Sequence, residues 1–173
     1  MVDNVGMRRL WPALFLAAAL SAAPSPDPWA ALRYLTGEWK GEGGGAPGQA
    51  SAGGFTFHFD LQGKVFVRTS FAEYPAAAGR PAFRHDDLMV IYEENGPRAI
   101  YFDNEDHVIR YRVIAATDAV TFVSDPAPSA PRYRLTYRRT DAATVSIRFE
   151  IAPPGKPEAF APYLDATARR VTR

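Results

Sequence analysis

Apolar and polar residues alternate with a period of two along most of the chain after residue 34. Phe55, Phe57 and Phe59, for example, alternate with Thr56, His58 and Asp60. Neighbouring side chains of a strand point to opposite faces, so this alternation predicts half-buried β-strands. The predicted strands cover residues 35–43, 55–60, 64–74, 87–93, 98–103, 107–115, 119–124, 133–138, 144–151 and 164–172.

Turn signals separate these strands and leave no room for crossover helices. Gln62-Gly63 and Asn95-Gly96 predict tight turns, and Pro-rich loops cover residues 75–81 and 125–131. Consecutive hairpins form an antiparallel meander, and closing it removes both sheet edges. The prediction is therefore one all-β, up-and-down barrel of about ten strands over residues 29–173, with the last strand beside the first.

Two short helical segments are also expected outside the alternating pattern. Residues 29–34 have apolar positions at helical spacing and predict a short helix before the first strand. Residues 159–163 predict a single helical turn before the last strand.

The first predicted strand has two very different faces. Gly37, Trp39, Gly41 and Gly43 share one face, and charged residues occupy the positions between them. The charged face suits solvent, whereas the other face holds one indole and otherwise bare backbone. Trp39 is a candidate for the wall of a ligand pocket, and a structural plug of the core is the favoured alternative. Bare backbone on the inside of a sheet leaves room for strong curvature or for a bound molecule.

The N-terminal residues 1–21 have the pattern of a secretory signal peptide. Arg8 and Arg9 precede an apolar run over residues 10–20, and small residues follow it. This run is much shorter than the roughly 20 residues that a bilayer-spanning helix needs. We expect cleavage after Ser21, export to the periplasm or the extracellular space, and no membrane span afterwards. The alternative is an apolar N-terminal anchor that stays attached.

Charge and cysteine content exclude several function classes. Without residues 1–21, the 20 basic and 19 acidic residues each fall to 18, so the remaining domain is neutral. A neutral chain without a basic run argues against nucleic acid as a partner. The chain has no Cys, which excludes disulfides, thiol nucleophiles and Cys-based zinc sites. About 150 residues are enough for one domain with its own core.

No catalytic or metal motif is present in the sequence. Gly-x-Ser-x-Gly, His-Glu-x-x-His and a phosphate-binding loop are all missing. The acidic run over residues 103–106 lacks the glycine and the spacing of a calcium loop, so a solvated turn is expected there. No catalytic residue, metal ligand or cofactor is assigned from the residues themselves.

Several polar side chains are nevertheless candidates for lining a ligand pocket. Tyr101, Tyr111 and Tyr163 could place hydroxyl groups inside an apolar interior, although tyrosine also simply suits strands. His107 has the parity of apolar neighbours and is the histidine expected to face inward, whereas His58 is expected to face outward. His85 is expected in a loop. An inward-facing arginine that holds a carboxylate ligand is a further option, and the sequence does not identify it.

The two ends of the domain together resemble one known family. The segment over residues 37–43, Gly-Glu-Trp-Lys-Gly-Glu-Gly, resembles the Gly-x-Trp-x-Gly-x-Gly signature of the nitrobindins, and residues 162–171 resemble their closing strand. The chain is also similar to a bacterial group of exported lipocalin-like domains of unassigned function. The resemblance implies a ten-stranded calycin-like barrel in which Arg169 or Arg170 packs on Trp39.

The resemblance also implies haem binding and chemistry on nitrogen oxides, with one departure. Tyr163 stands where the nitrobindins have the histidine that ligates haem iron, and Asp165 stands where a small serine is usual. A tyrosine can ligate ferric haem as a phenolate. Haem is therefore a candidate cofactor through Tyr163.

The leading functional prediction is an exported barrel that binds an apolar or amphipathic small molecule and has no chemistry of its own. One alternative is a nitrobindin-like haem protein that acts on nitrogen oxides or peroxynitrite. Another is an interaction module of the cell envelope that uses loops 75–81 and 126–131. The sequence does not give the ligand, the oligomeric state or whether the barrel is open.

Overall fold

Ten antiparallel strands form a closed barrel in which each strand pairs with its neighbours in chain order. The computed structural model describes residues 27–42 and 50–172, so Gly43 and the predicted signal peptide lie outside the described residues. The fold confirms the predicted all-β, up-and-down barrel. The strands are β1 (Gly37–Gly41), β2 (Ala52–Asp60), β3 (Val65–Tyr74), β4 (Phe83–Glu93), β5 (Pro97–Asp103), β6 (Val108–Ala115), β7 (Ala119–Ser124), β8 (Arg132–Arg139), β9 (Thr144–Ala152) and β10 (Ala161–Arg170).

The barrel closes between its first and last strands, as the alternating pattern predicts. Trp39 lies opposite Arg170 and Gly41 lies opposite Ala168 in an antiparallel register. On its other side, β1 pairs with β2, where Trp39 lies opposite Phe55. Both edges of the sheet are therefore satisfied by backbone pairing.

Close approach of backbone near the seam depends on glycine. A Cβ atom on Gly54 would lie 2.7 Å from the carbonyl oxygen of Trp39, and one on Gly37 would lie 2.9 Å from the Arg170 guanidinium. Gly37 also has a φ of +117°, which only glycine adopts readily. Part of the room that the bare face of β1 provides is thus occupied by Arg170.

The prediction of an N-terminal helix over residues 29–34 is wrong. Turns occupy residues 28–32, and only a three-residue 3₁₀ helix follows at Arg33–Leu35. Trp29, Leu32 and Leu35 are nevertheless buried. The Trp29 indole donates to the carbonyl of Gly63 at 2.9 Å, which ties this segment to the β2–β3 turn. We call this end of the barrel, with residues 29–35 and Trp39, the packed end.

The helical turn expected over residues 159–163 is wrong. β10 already begins at Ala161, and a register shift between Pro162 and Leu164 makes Tyr163 the extra residue of a β-bulge. A bulge interrupts the alternation of faces, so the period-two pattern is lost there although the backbone remains extended. Bulges of this kind are common where a barrel strand begins.

Strand β4 is also longer than predicted. Its start was missed because the first residues of the strand are mostly charged and do not alternate with apolar ones. It runs from Phe83 and pairs with β3 over ten residues, from Val65 opposite Tyr92 to Tyr74 opposite Phe83. His85, expected in a loop, therefore lies on β4. No helix within residues 27–42 and 50–172 is long and apolar enough to cross a membrane.

Candidate functional site

The interior of the barrel holds a cavity of about 990 Å³ on the side away from the packed end. We call this side the cavity end. Because the strands alternate in direction, the odd-numbered strands end there and the even-numbered strands begin there. Apolar side chains form much of the wall, among them Phe55, Phe71, Leu135, Ile147, Phe149 and Ile151.

At the packed end, Trp39 fills the barrel and leaves no comparable space. Its indole is 2% exposed, stacks on Phe55 at 5.9 Å between ring centroids, and donates to the carbonyl of Leu35 at 2.7 Å. Arg170 lies over the indole at 4.3 Å from the ring centroid, whereas Arg169 points outward and pairs with Glu42. Trp39 is therefore a structural plug that an arginine of the last strand covers.

A buried ion pair lies in the wall of the cavity. Arg68 on β3 donates through Nη2 to Asp87 Oδ2 on β4 at 3.2 Å, and both side chains are at most 8% exposed. Burial lowers the pKa of Arg68, but Asp87 together with Tyr137, Tyr101 and Tyr111 raises the pKa by more, so the pKa lies above its ordinary value and the guanidinium remains protonated. Among the described residues, Arg68 Nε, Arg68 Nη1 and Asp87 Oδ1 are buried and have no hydrogen-bond partner.

Three tyrosines surround this ion pair. Tyr101, Tyr111 and Tyr137 all line the cavity, and the Arg68 guanidinium lies 5.8 Å from the centroid of the Tyr137 ring. Burial raises the pKa of Tyr137 to about 12, and it likewise raises the pKa values of Tyr101 and Tyr111. All three phenols are therefore neutral hydrogen-bonding groups at physiological pH.

A chain of hydrogen bonds connects the cavity with its rim. The Tyr101 hydroxyl donates to Asp103 at 3.1 Å and lies 3.1 Å from His85 Nε2. His85 Nδ1 lies 2.7 Å from Glu105, and His107 Nδ1 lies 2.9 Å from Asp103. Two histidines and two carboxylates thus hold the Tyr101 hydroxyl in one orientation.

Asp103 is the buried carboxylate of this network. Its side chain is 3% exposed. Burial raises the pKa of Asp103, but hydrogen bonds from the backbone N–H groups of His107 and Glu105, and then from the His107 side chain and Tyr101, lower it below its ordinary value. Asp103 is therefore ionised near neutral pH.

The structure brings most of the sequence-based site candidates to the cavity, at different depths. Tyr101 and Tyr111 lie inside it with their rings edge to face, and Gly41 lies in its wall. Tyr163 lies at the rim, where its half-exposed ring contacts Phe149 edge to face.

The three histidines differ from the expectation in one respect. The His107 side chain is 54% exposed at the rim, whereas the His85 side chain is 22% exposed and reaches farther into the barrel. The prediction that His107 is the histidine that faces inward is therefore wrong, because His85 is the more buried of the two. His107 lies in the turn that precedes β6. His58 is exposed, as predicted.

Sequence reasoning missed the central ion pair, although a signal for it exists. Arg68 has the same strand parity as buried Phe66, and Asp87 has the same parity as buried Met89 and Ile91. A charged residue on the apolar face of a strand indicates a buried polar site.

Metal binding has no support in the described part of the chain, where no cluster of three or more His, Cys, Asp or Glu side chains could hold an ion. The acidic residues 103–106 form the turn between β5 and β6. Asp103 there accepts hydrogen bonds from the backbone N–H groups of Glu105 and His107 at 3.0 Å each.

A second concave surface lies on the outer face of β7–β10 and is lined by charged residues. Its arginines are paired with acids: Arg134 with Glu150, Arg138 with Asp118, and Arg148 with Asp165. These pairs satisfy one another at the surface, so this face carries no comparable set of unmet polar groups.

Comparison with known proteins adds no family to this description. No protein-family model matches the chain, and no curated protein matches it. The closed ten-stranded antiparallel barrel is consistent with a calycin-like fold, and the geometry of the cavity carries the functional argument.

Proposed function

We propose that the protein binds an amphipathic small molecule inside the barrel. The observation that carries this proposal is the cavity of about 990 Å³, whose lining joins aromatic walls to the polar side chains of His85, Tyr101 and Asp103. Natural small-molecule sites are concave, mostly apolar and equipped with a few convergent polar groups. A protein without a ligand would gain stability by filling such a space with side chains.

The two ends of the barrel support this assignment. The packed end is filled by Trp39 and the segment over residues 29–35, which gives the barrel a rigid base. The cavity end is surrounded by Tyr74, Phe83 and Tyr163, whose rings are partly exposed. An apolar rim suits the entry of a molecule with an apolar body.

Blocking the cavity tests the proposal. The solvatochromic dye prodan is titrated into the wild-type protein, into Ala166→Trp and into Ala115→Trp. Ala166 lines the cavity, whereas Ala115 is an exposed residue at the end of β6. We expect a blue-shifted prodan emission with the wild type and with Ala115→Trp, and a loss of the shift with Ala166→Trp.

Two outcomes would contradict the proposal. One is the absence of any blue shift with the wild type. The other is an unchanged shift in Ala166→Trp when its circular dichroism spectrum shows an intact barrel. Native mass spectrometry of the purified protein complements the titration, because a ligand that co-purifies would be seen directly as added mass.

Haem is a second candidate occupant, and the position of Tyr163 favours it. The Tyr163 ring lies at the rim of the cavity beside Phe149, and its phenol is half-exposed. Tyr163 would hold the iron, and the stacked rings of Phe149 and Tyr133, 5.9 Å apart, provide an aromatic surface in the cavity beside it. Bound ferric haem would supply the redox-active iron that the nitrobindin resemblance implies.

An absorption spectrum separates haem from other occupants. Hemin is added to the wild type, to Tyr163→Phe and to Tyr133→Phe. If haem binds through Tyr163, the wild type and Tyr133→Phe shift the Soret band, and Tyr163→Phe does not. An unshifted band in the wild type, or an equal shift in Tyr163→Phe, removes this candidate and leaves small-molecule binding intact.

A further inference from the structure

The tyrosines of the cavity differ in whether their hydroxyl groups have a hydrogen-bond partner. The Tyr101 hydroxyl donates to Asp103 at 3.1 Å. The hydroxyl groups of Tyr111, Tyr133 and Tyr137 have no such partner among the described residues, although all three side chains line the cavity. We call these three groups the hydroxyl cluster.

The hydroxyl cluster is open to the cavity, unlike the free atoms of the ion pair. Among the described residues, the unpartnered side-chain atoms that have almost no accessible surface are Arg68 Nε, Arg68 Nη1, Asp87 Oδ1 and Thr144 Oγ1. No tyrosine hydroxyl is one of these sealed atoms, so a molecule inside the barrel can reach the cluster. A buried tyrosine hydroxyl usually has a partner, and an occupant of the cavity would supply the one that is missing here.

Packing holds the cluster in place before any molecule enters. Tyr137 and Tyr111 each contact Phe122 edge to face, at 6.3 Å between ring centroids, and Tyr133 stacks on Phe149 at 5.9 Å. Burial is the largest cause of the raised pKa of Tyr111, and the nearby phenols of Tyr133 and Tyr137 add to it, so the three groups lie close together. Hydroxyl groups on rings that are already fixed bind a ligand without a large loss of side-chain entropy.

The charged side chains of the cavity wall are sealed, already satisfied or at the rim. Arg68 and Asp87 pair with each other, and their remaining polar atoms are sealed. Asp103 accepts hydrogen bonds from side chains and from backbone N–H groups. Arg80 and Glu105 are exposed in the turns of the rim. A charged head group beside the hydroxyl cluster would therefore lose its water without gaining a direct counter-ion.

We propose that the hydroxyl cluster binds an uncharged oxygen-bearing group, such as an ester, a ketone or an alcohol, of the amphipathic occupant. The phenols donate hydrogen bonds to the oxygen atom of this group. The apolar body of the molecule lies along Ile147, Phe149 and Ile151 toward the rim. This inference rests on the proposed function and specifies its ligand class.

Three ligands with one alkyl chain test this specificity. Methyl octanoate, octanoate and octylammonium are titrated into the wild-type protein by isothermal calorimetry. We expect methyl octanoate to bind roughly tenfold more tightly than either charged ligand, because only the uncharged ester enters the cavity without an uncompensated loss of hydration.

Removing the three hydroxyl groups tests the contact itself. The triple variant Tyr111→Phe, Tyr133→Phe, Tyr137→Phe keeps the rings, and we expect its affinity for methyl octanoate to fall roughly tenfold. The infrared carbonyl stretch of the bound ester should lie below its value in hexane with the wild type and return to that value with the triple variant. Tyr92→Phe, which changes a tyrosine of β4 outside the cavity lining, is the control and should keep both the affinity and the stretch of the wild type. Circular dichroism and thermal unfolding confirm that each variant is folded.

The outcomes separate this inference from the binding function. Binding of octanoate or octylammonium to the wild type as tightly as methyl octanoate overturns the uncharged ligand class and leaves the binding function standing. A carbonyl stretch at the hexane value in the wild type, which needs no variant to fold, overturns the hydroxyl contact, as does an unchanged affinity in the folded triple variant. Failure of all three ligands, together with no prodan shift, overturns the binding function and this inference with it.

Discussion

Arg170 and Arg68 lie inside the same barrel, at its packed end and in its cavity, and their surroundings differ in kind. Arg170 lies 4.3 Å from the centroid of the Trp39 ring and caps two backbone carbonyls of the preceding segment. Arg68 has one hydrogen bond, of 3.2 Å to Asp87, and its Nε and Nη1 atoms have no hydrogen-bond partner among the described residues.

This difference separates a charge that stabilises the fold from one that is incompletely paired. A charge that is fully matched by protein groups holds elements together. A charge that is only partly matched leaves buried polar atoms without hydrogen bonds, which costs stability. The following predictions test whether the packed end and the cavity end differ in this way.

The largest expected effect comes from removing the plug. Trp39→Ala deletes an indole that is 2% exposed, and we expect the free energy of unfolding to fall by about 3–5 kcal/mol. Urea denaturation followed by circular dichroism measures the change. Phe83→Ala at the rim, where the ring is 36% exposed, is the control and should have a small effect. An equal decrease in the free energy of unfolding in both variants would contradict the distinction between the two ends.

A somewhat smaller loss is expected from Arg170→Met. Methionine keeps much of the apolar stem but cannot cap the carbonyls of Thr36 and Tyr34 or lie as a cation over Trp39. We expect a decrease of about 2–4 kcal/mol in the free energy of unfolding. Arg169→Met, on the outer face next to it, should change stability little. A larger effect of Arg169→Met would show that the outer ion pair with Glu42 matters more than the cap.

Acid should act on the cavity end through Asp103. Its pKa in the folded protein is lowered from its ordinary value of 3.8, so its contribution to stability is present above that value and is lost as the pH falls through the folded pKa. We expect the wild-type free energy of unfolding to decrease below about pH 4. Asp103→Asn should show a shallower decrease over this range. An identical slope in both proteins would contradict the lowered pKa.

The smallest expected change in stability comes from replacing the cavity ion pair as a unit. Arg68→Met with Asp87→Leu removes the unmet polar atoms together, so the free energy of unfolding should stay within about 1 kcal/mol of the wild type or increase. Arg68→Met alone should be far more destabilising, because it leaves Asp87 buried without a counter-ion. A loss of several kcal/mol in the double variant would mean that the pair stabilises the barrel.

The barrel could be predicted because apolar and polar residues alternate along its strands, and this alternation directly reflects which side chains are buried. The pattern fails where faces stop alternating: at the bulge around Tyr163, and at the charged start of β4 around His85. At these two places, the extended backbone is stabilised by hydrogen bonds to a neighbouring strand. Such pairing depends on two strands, so it cannot be seen in the sequence of either strand alone.

The site could be predicted only in part, for a related reason. Tyr101 and Tyr111, candidates for a polar lining because a tyrosine combines an apolar ring with a hydroxyl group, do line the cavity. The pairing of Arg68 with Asp87 depends on the register between β3 and β4, where Ser70 lies opposite Asp87 and Arg68 opposite Met89. A diagonal contact of this kind requires the register, which the sequence does not provide.

The seam between β1 and β10 has a consequence for how the chain folds. Arg170 reaches back to cap a residue that lies 134 positions earlier in the chain. During synthesis, the plug therefore lacks its cap, and the edges of β1 and β9 lack a partner, until β10 has left the ribosome. Contacts of such sequence separation slow folding to milliseconds or longer. A nascent chain that stops before residue 161 would expose Trp39 and two open strand edges, which makes it a substrate for chaperones or for aggregation.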